Sequence, residues 1–212
     1  MRYSQEYIEE VKSKIPGIAF SLFSSKGIAN VTMQDIADEC GIGVATLYRY
    51  YGTKVRLLIE VCVKKWVCIA DEINANYKRL GGEKFTAQEE MEFCLNSYIY
   101  MYQNHKNFLR FNRNFELYVI QENSSPEDMQ IYYVTANLYK QSFQNVFKKA
   151  YEDHTIRTDL SEEDIYFGII QAMLFTATKY AEDSVYPEKK GIDYTQALNT
   201  QKKAYMKYLT NN

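Results

Sequence analysis

Between Thr32 and Lys54 the sequence sets small residues beside hydrogen-bond donors, an order suited to polar recognition rather than to catalysis. Gly43, Val44 and Ala45 come first, and Thr46, Tyr48, Arg49 and Tyr50 follow directly. A helix that opens on small side chains can enter the major groove of duplex DNA, with donors on its flanks facing the phosphates. Taken singly, Tyr48 and Tyr50 would read as cover for a core, and Lys54 as a solvated charge at a helix start. Together they point to DNA.

Other chemistry finds little support. His105 and His154 are the only histidines, neither lies in an HExxH pattern, and no GxSxG occurs. Gly41-Ile42-Gly43 begins like a dinucleotide fingerprint but lacks its third Gly and a preceding strand. Gly52-Thr53-Lys54 lacks the upstream Gly of a phosphate-binding loop. Cys40, Cys62, Cys68 and Cys94 show no CxxC spacing and no nearby His, so buried reduced thiols are expected rather than a zinc site or disulfides. No catalytic residue, metal or cofactor is expected.

The elements that must carry the donors are helices, because apolar residues recur at helical spacing nearly throughout. Ile8, Val11, Ile15, Ile18, Leu22 and Phe23 predict a first helix from Ser4 to Ser25, closed at Lys26-Gly27. Pro16 interrupts it. An interior Pro costs about 3 kcal/mol, so either a kink or a second segment capped by Ser13 is expected. Thr32, with Asp35 three residues on, predicts the N-cap of a short helix ending at Cys40-Gly41. The next runs from Gly43 to Gly52. Two short helices across a Gly-containing turn are the minimum of a helix-turn-helix, with Ile36, Ala37, Val44 and Leu47 available as its core.

A fourth helix, capped by Thr53, carries Val55, Leu58, Ile59, Cys62, Trp66, Ile69 and Ile73 and stops before Gly81-Gly82. Met91 to Tyr102 and Phe108 to Val119 mark two more, with a break near His105. Pro126 opens another after the loop at Asn123. A helix from Ser161 to Ser184 is closed by Tyr186-Pro187, and a last one runs from Tyr194 to Leu209. The expected fold is all-α with about nine helices: a three-helix helix-turn-helix domain at 1–54 and a larger helical domain at 55–212.

The stretch from Gly27 to Lys54 resembles the tetracycline-repressor (TetR) family. The resemblance is carried by Thr32-Met33-Gln34-Asp35-Ile36-Ala37 and by Gly41-Ile42-Gly43-Val44-Ala45-Thr46-Leu47-Tyr48-Arg49-Tyr50-Tyr51-Gly52-Thr53-Lys54. It implies phosphate contacts from Thr32, Thr46, Tyr48 and Lys54, Tyr50 at the groove edge, and Gln34, Ala45 and Arg49 as candidates for reaching bases. Gly43 stands where the family usually caps the recognition helix with Ser, and Gly52 where Pro often precedes the Ser/Thr-Lys pair. Gly caps acceptably, so what is lost at Gly43 is a side-chain hydroxyl.

In the larger part, Phe167, Ile170, Leu174, Ala177 and Ala181 form an apolar line beside a second one through Ile165, Ile169, Met173 and Thr176. A helix apolar on two sides must be covered twice. The resemblance implies that the second cover is the same helix of another subunit, packed with the last helix, in a two-fold homodimer. The alternative is a helix buried wholly within one chain.

The chain holds 20 Tyr, 11 Phe and 1 Trp, and an aromatic wall offers apolar area with polar handles to a ligand. A cavity between helices four to eight is expected, drawing on Trp66, Tyr98, Tyr102, Phe111, Phe115, Tyr139, Phe143 and Phe175. The resemblance implies a small hydrophobic or aromatic effector there that releases operator DNA, with repression the expected sign. For any single aromatic, a place in the core is the competing reading.

The net charge of −2 argues against coating nucleic acid over the whole surface. Residues 1–65 carry nine Lys and Arg against seven Asp and Glu, a slight excess that permits DNA binding without demanding it. No apolar run approaches a membrane span, and Met1 to Glu10 is polar, so a cytoplasmic address is expected. The rival class is a helical adaptor acting through protein contacts alone, against which the basic Arg49 and Lys54 argue.

Overall fold

The computed structural model describes residues 5–182 and 191–210, with side chains throughout these except at 5–8 and 136–142. Among the described residues there are ten α-helices and no strand. The closure expected at Tyr186-Pro187 and the side chain of Tyr139 lie outside the described residues.

Helix α1 (Gln5–Lys26) runs unbroken through Pro16. Ile15, Pro16, Ala19, Leu22 and Phe23 are all buried along it, and this apolar packing outweighs the local cost of the ring. The Ser13 hydroxyl donates to the Glu10 carbonyl at 2.8 Å and so caps no second segment. A 3-10 turn at Ile28–Asn30 leads to α2 (Met33–Glu39) and α3 (Val44–Tyr51).

The remaining helices are α4 (Lys54–Arg79), α5 (Ala87–Asn104), α6 (Lys106–Gln121), α7 (Pro126–Asp153), α8 (Glu162–Ile165), α9 (Ala172–Ala181) and α10 (Thr195–Leu209). The expected break falls at His105, whose backbone (φ −130°, ψ 34°) leaves the helical region. The helix expected from Ser161 is instead α8 and α9 joined by a π-helical turn at Tyr166–Gln171, which accounts for the extra element. Ser161 caps it, its hydroxyl accepting from the Asp164 N–H at 3.0 Å.

The chain divides into two compact units, one of Met1–Cys68 with Phe111–Thr135 and one of Ile69–Arg110 with Ala136–Asn212. In the first unit the core continues past Lys54 into Leu57, Leu58, Val61 and Cys62, and takes in Phe111, Phe115 and Val119 from α6. Phe20 meets Phe111 edge-on at 5.3 Å, which fixes α1 on α6.

In the second unit α5, α9 and α10 pack together around Leu95, Ile99, Met173, Ala177 and Leu198. The start of α5 is a capping box between Thr86 and Glu89, reinforced from the end of α7 by Asp153, whose carboxylate accepts from the Ala87 N–H at 2.7 Å. The phenol oxygen of the fully buried Tyr102 accepts from the Tyr194 N–H at 2.9 Å and anchors the approach to α10.

Three expectations from sequence need correction. Of the four cysteines only Cys62 is buried; Cys40 and Cys94 are half-buried and Cys68 is exposed. Phe175, expected in a cavity wall, is 65% exposed because it falls on the outer side of α9. Ile170, Ala177 and Ala181, expected to be covered by a second subunit, are buried in their own unit, while Phe167 is 60% exposed.

Candidate nucleic-acid interface

Helix α2 opens on a reciprocal cap. The Thr32 Oγ1 accepts from the Asp35 N–H at 3.1 Å, and the Asp35 carboxylate accepts from the Thr32 N–H at 2.7 Å and from the Thr32 hydroxyl at 2.6 Å. The bond from the Thr32 hydroxyl is the main reason that the Asp35 carboxyl sits below its usual range, with the Thr32 N–H adding to it. Two orphan donors of the helix start are thereby satisfied.

The turn that follows closes as a Schellman motif. Ile42 N–H donates to the Ala37 carbonyl at 3.0 Å, and Gly41 N–H donates to that of Asp38 at 3.1 Å. The motif requires a left-handed residue at Gly41 (φ 66°), a conformation that costs Gly least. Gly43 is different. It caps α3 with φ −69° and ψ 139°, values open to any residue, and makes no side-chain cap bond.

Packing of α2 on α3 buries Ile36, Ala37, Leu47 and Tyr51. Of the expected core, Val44 is only half-buried. The Tyr51 hydroxyl lies inside with no hydrogen-bond partner among the described residues, and burial pushes its pKa well up. With Leu47 and Tyr51 turned inward, the opposite side of α3 faces solvent: Gly43, Ala45, Tyr48 and Arg49 are exposed, and Thr46 and Tyr50 are half-buried. Gln34 and Thr32 on α2 are exposed beside them. The Gln34 amide donates to Asp38 at 2.6 Å, which holds the side chain along its own helix.

Lys54 does not extend outward as a phosphate contact would. It is half-buried, and its Nζ donates to the Ile28 carbonyl at 2.5 Å while lying 5.0 Å from the Tyr118 ring and 5.9 Å from that of Phe23. One exposed cation went unforeseen. Lys12 of α1 stands 5.9 Å from the Tyr50 ring, whose other cationic neighbour is Arg49 at 5.5 Å. The heptad-like run of α1 gives no sign of this, because the proximity exists only once α1 and α3 are folded together.

The expected ligand residues separate between the two compact units. In the first, the Trp66 indole N–H and the Cys62 thiol both donate to the Asn112 side-chain oxygen, at 3.0 Å and 3.3 Å. The Asn112 amide donates to Glu116 at 3.1 Å, and Glu116 also accepts from the Tyr132 hydroxyl at 3.0 Å. Phe111 and Phe115 are buried next to this chain, with Phe115 5.1 Å from the Tyr132 ring. Asn112, Glu116 and Tyr132 are thus polar members that aromatic counting passes over. In the second unit Tyr102 and Phe143 are core residues and Tyr98 is half-buried.

The arrangement is one of recognition: a convex helix with small residues at its entrance and donors along its length. Among the described residues no group of metal-ligating side chains is assembled, and no helix is long and apolar enough to cross a membrane. Residues 18–61 match the family model described as bacterial regulatory proteins of the tetR family. HTH-type transcriptional regulators of Staphylococcus aureus strains USA300 and NCTC 8325 are 32% identical over 77 residues, covering 33% of this chain and 42% of each relative. The chain thus spans less than half the length of these curated relatives.

Solved structures resemble the chain over nearly all of it. A transcriptional regulator from Saccharomonospora viridis in complex with choline aligns over 96% of this chain and 100% of its own, with TM-score 0.74 and 15% identity. FadR from Bacillus subtilis in complex with stearoyl-CoA aligns over 93% and 98%, with TM-score 0.68 and 16% identity. At such identities the likeness is one of fold.

Proposed function

We propose that this chain, whose residues 18–61 match the tetR family of bacterial regulatory proteins, is a ligand-responsive repressor of that family binding a palindromic operator as a homodimer. The observation that carries this reading is the solvent face of α3, where Gly43 and Ala45 precede the exposed Tyr48 and Arg49. Ala45, with Val44 and Gln34 beside it, approaches base edges by shape and closeness. Thr46 and Tyr48 face phosphates, and Thr32 sits at the same edge. In this reading residues 1–54 carry DNA recognition and residues 55–212 carry effector binding and dimerisation.

Two exposed phenylalanines, Phe167 on the π-helical turn and Phe175 on α9, support a second copy as the cover of this segment. The half-buried Leu174 adds to that face. A two-fold dimer sets two half-sites about one turn of DNA, or a multiple, apart. For the effector, the buried Phe111, Phe115 and Asn112 with the half-buried Trp66 and Tyr132 offer apolar area with few polar groups, the usual make-up of a small-molecule site. Relatives of this fold bind an acyl-CoA and choline, and a small hydrophobic or aromatic molecule is the class proposed here. It acts by binding more tightly to the state that has let go of DNA.

Selection of duplexes from a random library, followed by footprinting of the winner, tests the reading. A symmetric footprint on an inverted repeat supports it. Absence of any salt-dependent duplex affinity overturns it in favour of an adaptor with protein partners only, because phosphate neutralisation releases counterions and protein docking does not.

A further inference from the structure

The surroundings of Tyr50 carry one step more. Lys12 Nζ and the Arg49 guanidinium lie 5.9 and 5.5 Å from the centre of the same ring. Both are exposed, and Tyr50 between them is half-buried, so the ring is held while its cationic neighbours face water. Three other cations of this unit are matched, Lys14 with Glu10 at 2.6 Å, Arg56 with Asp128 at 2.7 Å and Lys64 with Glu60 at 2.8 Å, whereas Lys65 lies over the Phe20 ring at 4.2 Å. Lys12 and Arg49 have no carboxylate partner among the described residues. An anion bound at this ring's edge would neutralise two cations that have no carboxylate neighbour among the described residues.

We infer that Lys12, Arg49 and Tyr50 form one phosphodiester-binding site, which makes Lys12 a DNA contact on α1 and assigns Arg49 to the backbone rather than to a base. The inference rests on the DNA-binding reading above. An ammonium, a guanidinium and a phenol together offer donors to both free oxygens of a phosphodiester, and Arg can engage two at once. The cation–π contacts hold the two long side chains near that anion before it arrives. Because α1 supplies one donor and α3 the others, the site reads backbone position and clamps both helices to the same strand.

The test uses the full chain and the duplex it selects, with affinity measured by fluorescence anisotropy over a range of KCl concentrations. Lys12→Ala is expected to weaken binding about three- to ten-fold at low salt and to lower the salt slope by about one, equally on the selected and on a scrambled duplex. Lys12→Arg restores both, and Tyr50→Phe gives a smaller loss without a change of slope. Arg49→Ala is expected to lower the slope without relaxing sequence preference at any base pair.

If the unaltered chain binds duplex and Lys12→Ala leaves affinity and slope unchanged, the inference falls and the DNA-binding reading stands. If Arg49→Ala relaxes preference at one position, Arg49 reads a base and the inference is overturned. Inorganic phosphate titrated at constant ionic strength distinguishes a free-anion pocket. Selective loss of duplex binding by the unaltered chain but not by Lys12→Ala would contradict a site shaped for the DNA backbone. If the unaltered chain selects no duplex, both the reading and the inference fail.

Discussion

Lys54 Nζ donates to the carbonyl of Ile28 at 2.5 Å, tying the first residue of α4 to the 3-10 turn that precedes α2. The contact spans 26 residues and closes the helix-turn-helix against the helix that follows it. Burial pulls the Lys54 pKa below its ordinary value, with Glu122 and Asp35 acting in the opposite sense. Its role here is internal, as a bolt within the unit.

Lys54→Ala is therefore expected to cost about 1–2 kcal/mol, from a lost hydrogen bond to the Ile28 carbonyl, which keeps only the Val31 N–H at 3.4 Å, and from the lost cation–π contacts with Tyr118 and Phe23. A lowered thermal midpoint with an unchanged salt slope in duplex titrations is the signature. Loss of slope at full stability would return Lys54 to the phosphate contacts. Because burial depresses the folded-state pKa, the charged lysine favours folding less than the neutral amine does. The intact chain gains stability relative to Lys54→Ala as pH rises from that lowered value towards 10.5.

Gly43 and Gly41 lie on either side of Ile42 and are expected to respond in opposite ways. A Cβ at Gly43 meets nothing within 4 Å, and its φ of −69° suits any residue. Gly43→Ser supplies the absent cap and raises stability by a few tenths of a kcal/mol, roughly. Gly41→Ala forces a side chain to φ 66° and lowers stability by about 1 kcal/mol. Chemical denaturation of both variants checks the pair.

The Thr32–Asp35 cap predicts an acid response. Asp35 titrates below the ordinary 3.8, so its contribution is complete above that pH and fades as pH falls through the lowered value. Asp35→Asn is expected to be less stable than the parent at neutral pH and to converge with it in strong acid. Parallel stability curves, offset by a constant amount down to the lowest pH, would contradict the assignment.

Much of this was legible in the residues. The caps at Thr32 and Ser161 and the turn at Gly41 are local chemistry, and local chemistry survives folding. What escaped depended on distant partners. Pro16 reads as a breaker until α1 is seen to bury it, and Lys54 reads as a surface charge until Ile28 and Tyr118 arrive beside it. Counted at 3.6 residues per turn, Ile170 and Ala177 fall with Phe167 on a second apolar line, for which the family resemblance supplied a second subunit. The π turn at Tyr166–Gln171 breaks that count and leaves Phe167 and Phe175 outside. Lys12 could not have been matched with Tyr50 by any pattern along the chain.

Phe167→Asp and Phe175→Asp test the cover of the π-helical turn and α9. Each aromatic carries roughly 1.5–3 kcal/mol when buried, so either change is expected to weaken self-association ten-fold or more while helical content stays constant. Light scattering over a dilution series gives the answer. An unaltered dimer in the double variant would place the interface elsewhere.

Trp66 is the only tryptophan, so intrinsic fluorescence reports on the Asn112 network directly. Asn112→Leu leaves the Trp66 indole and the Tyr132–Glu116 pair short of a partner, at an expected cost of about 1–3 kcal/mol. A shift of the emission maximum should accompany the loss. An effector bound at this site changes the same signal in the parent and not in the variant.

In the proposed reading the solvent face of α3 meets DNA, and duplex affinity of Ala45→Asp measures this directly. Ala45 is exposed in the first turn of α3, where a carboxylate favours the helix start and leaves the fold intact. The same carboxylate would face the phosphates and the groove. The account predicts normal stability with loss of selected-duplex binding at every salt concentration tested. A folded Ala45→Asp that binds the duplex as the parent does would contradict it.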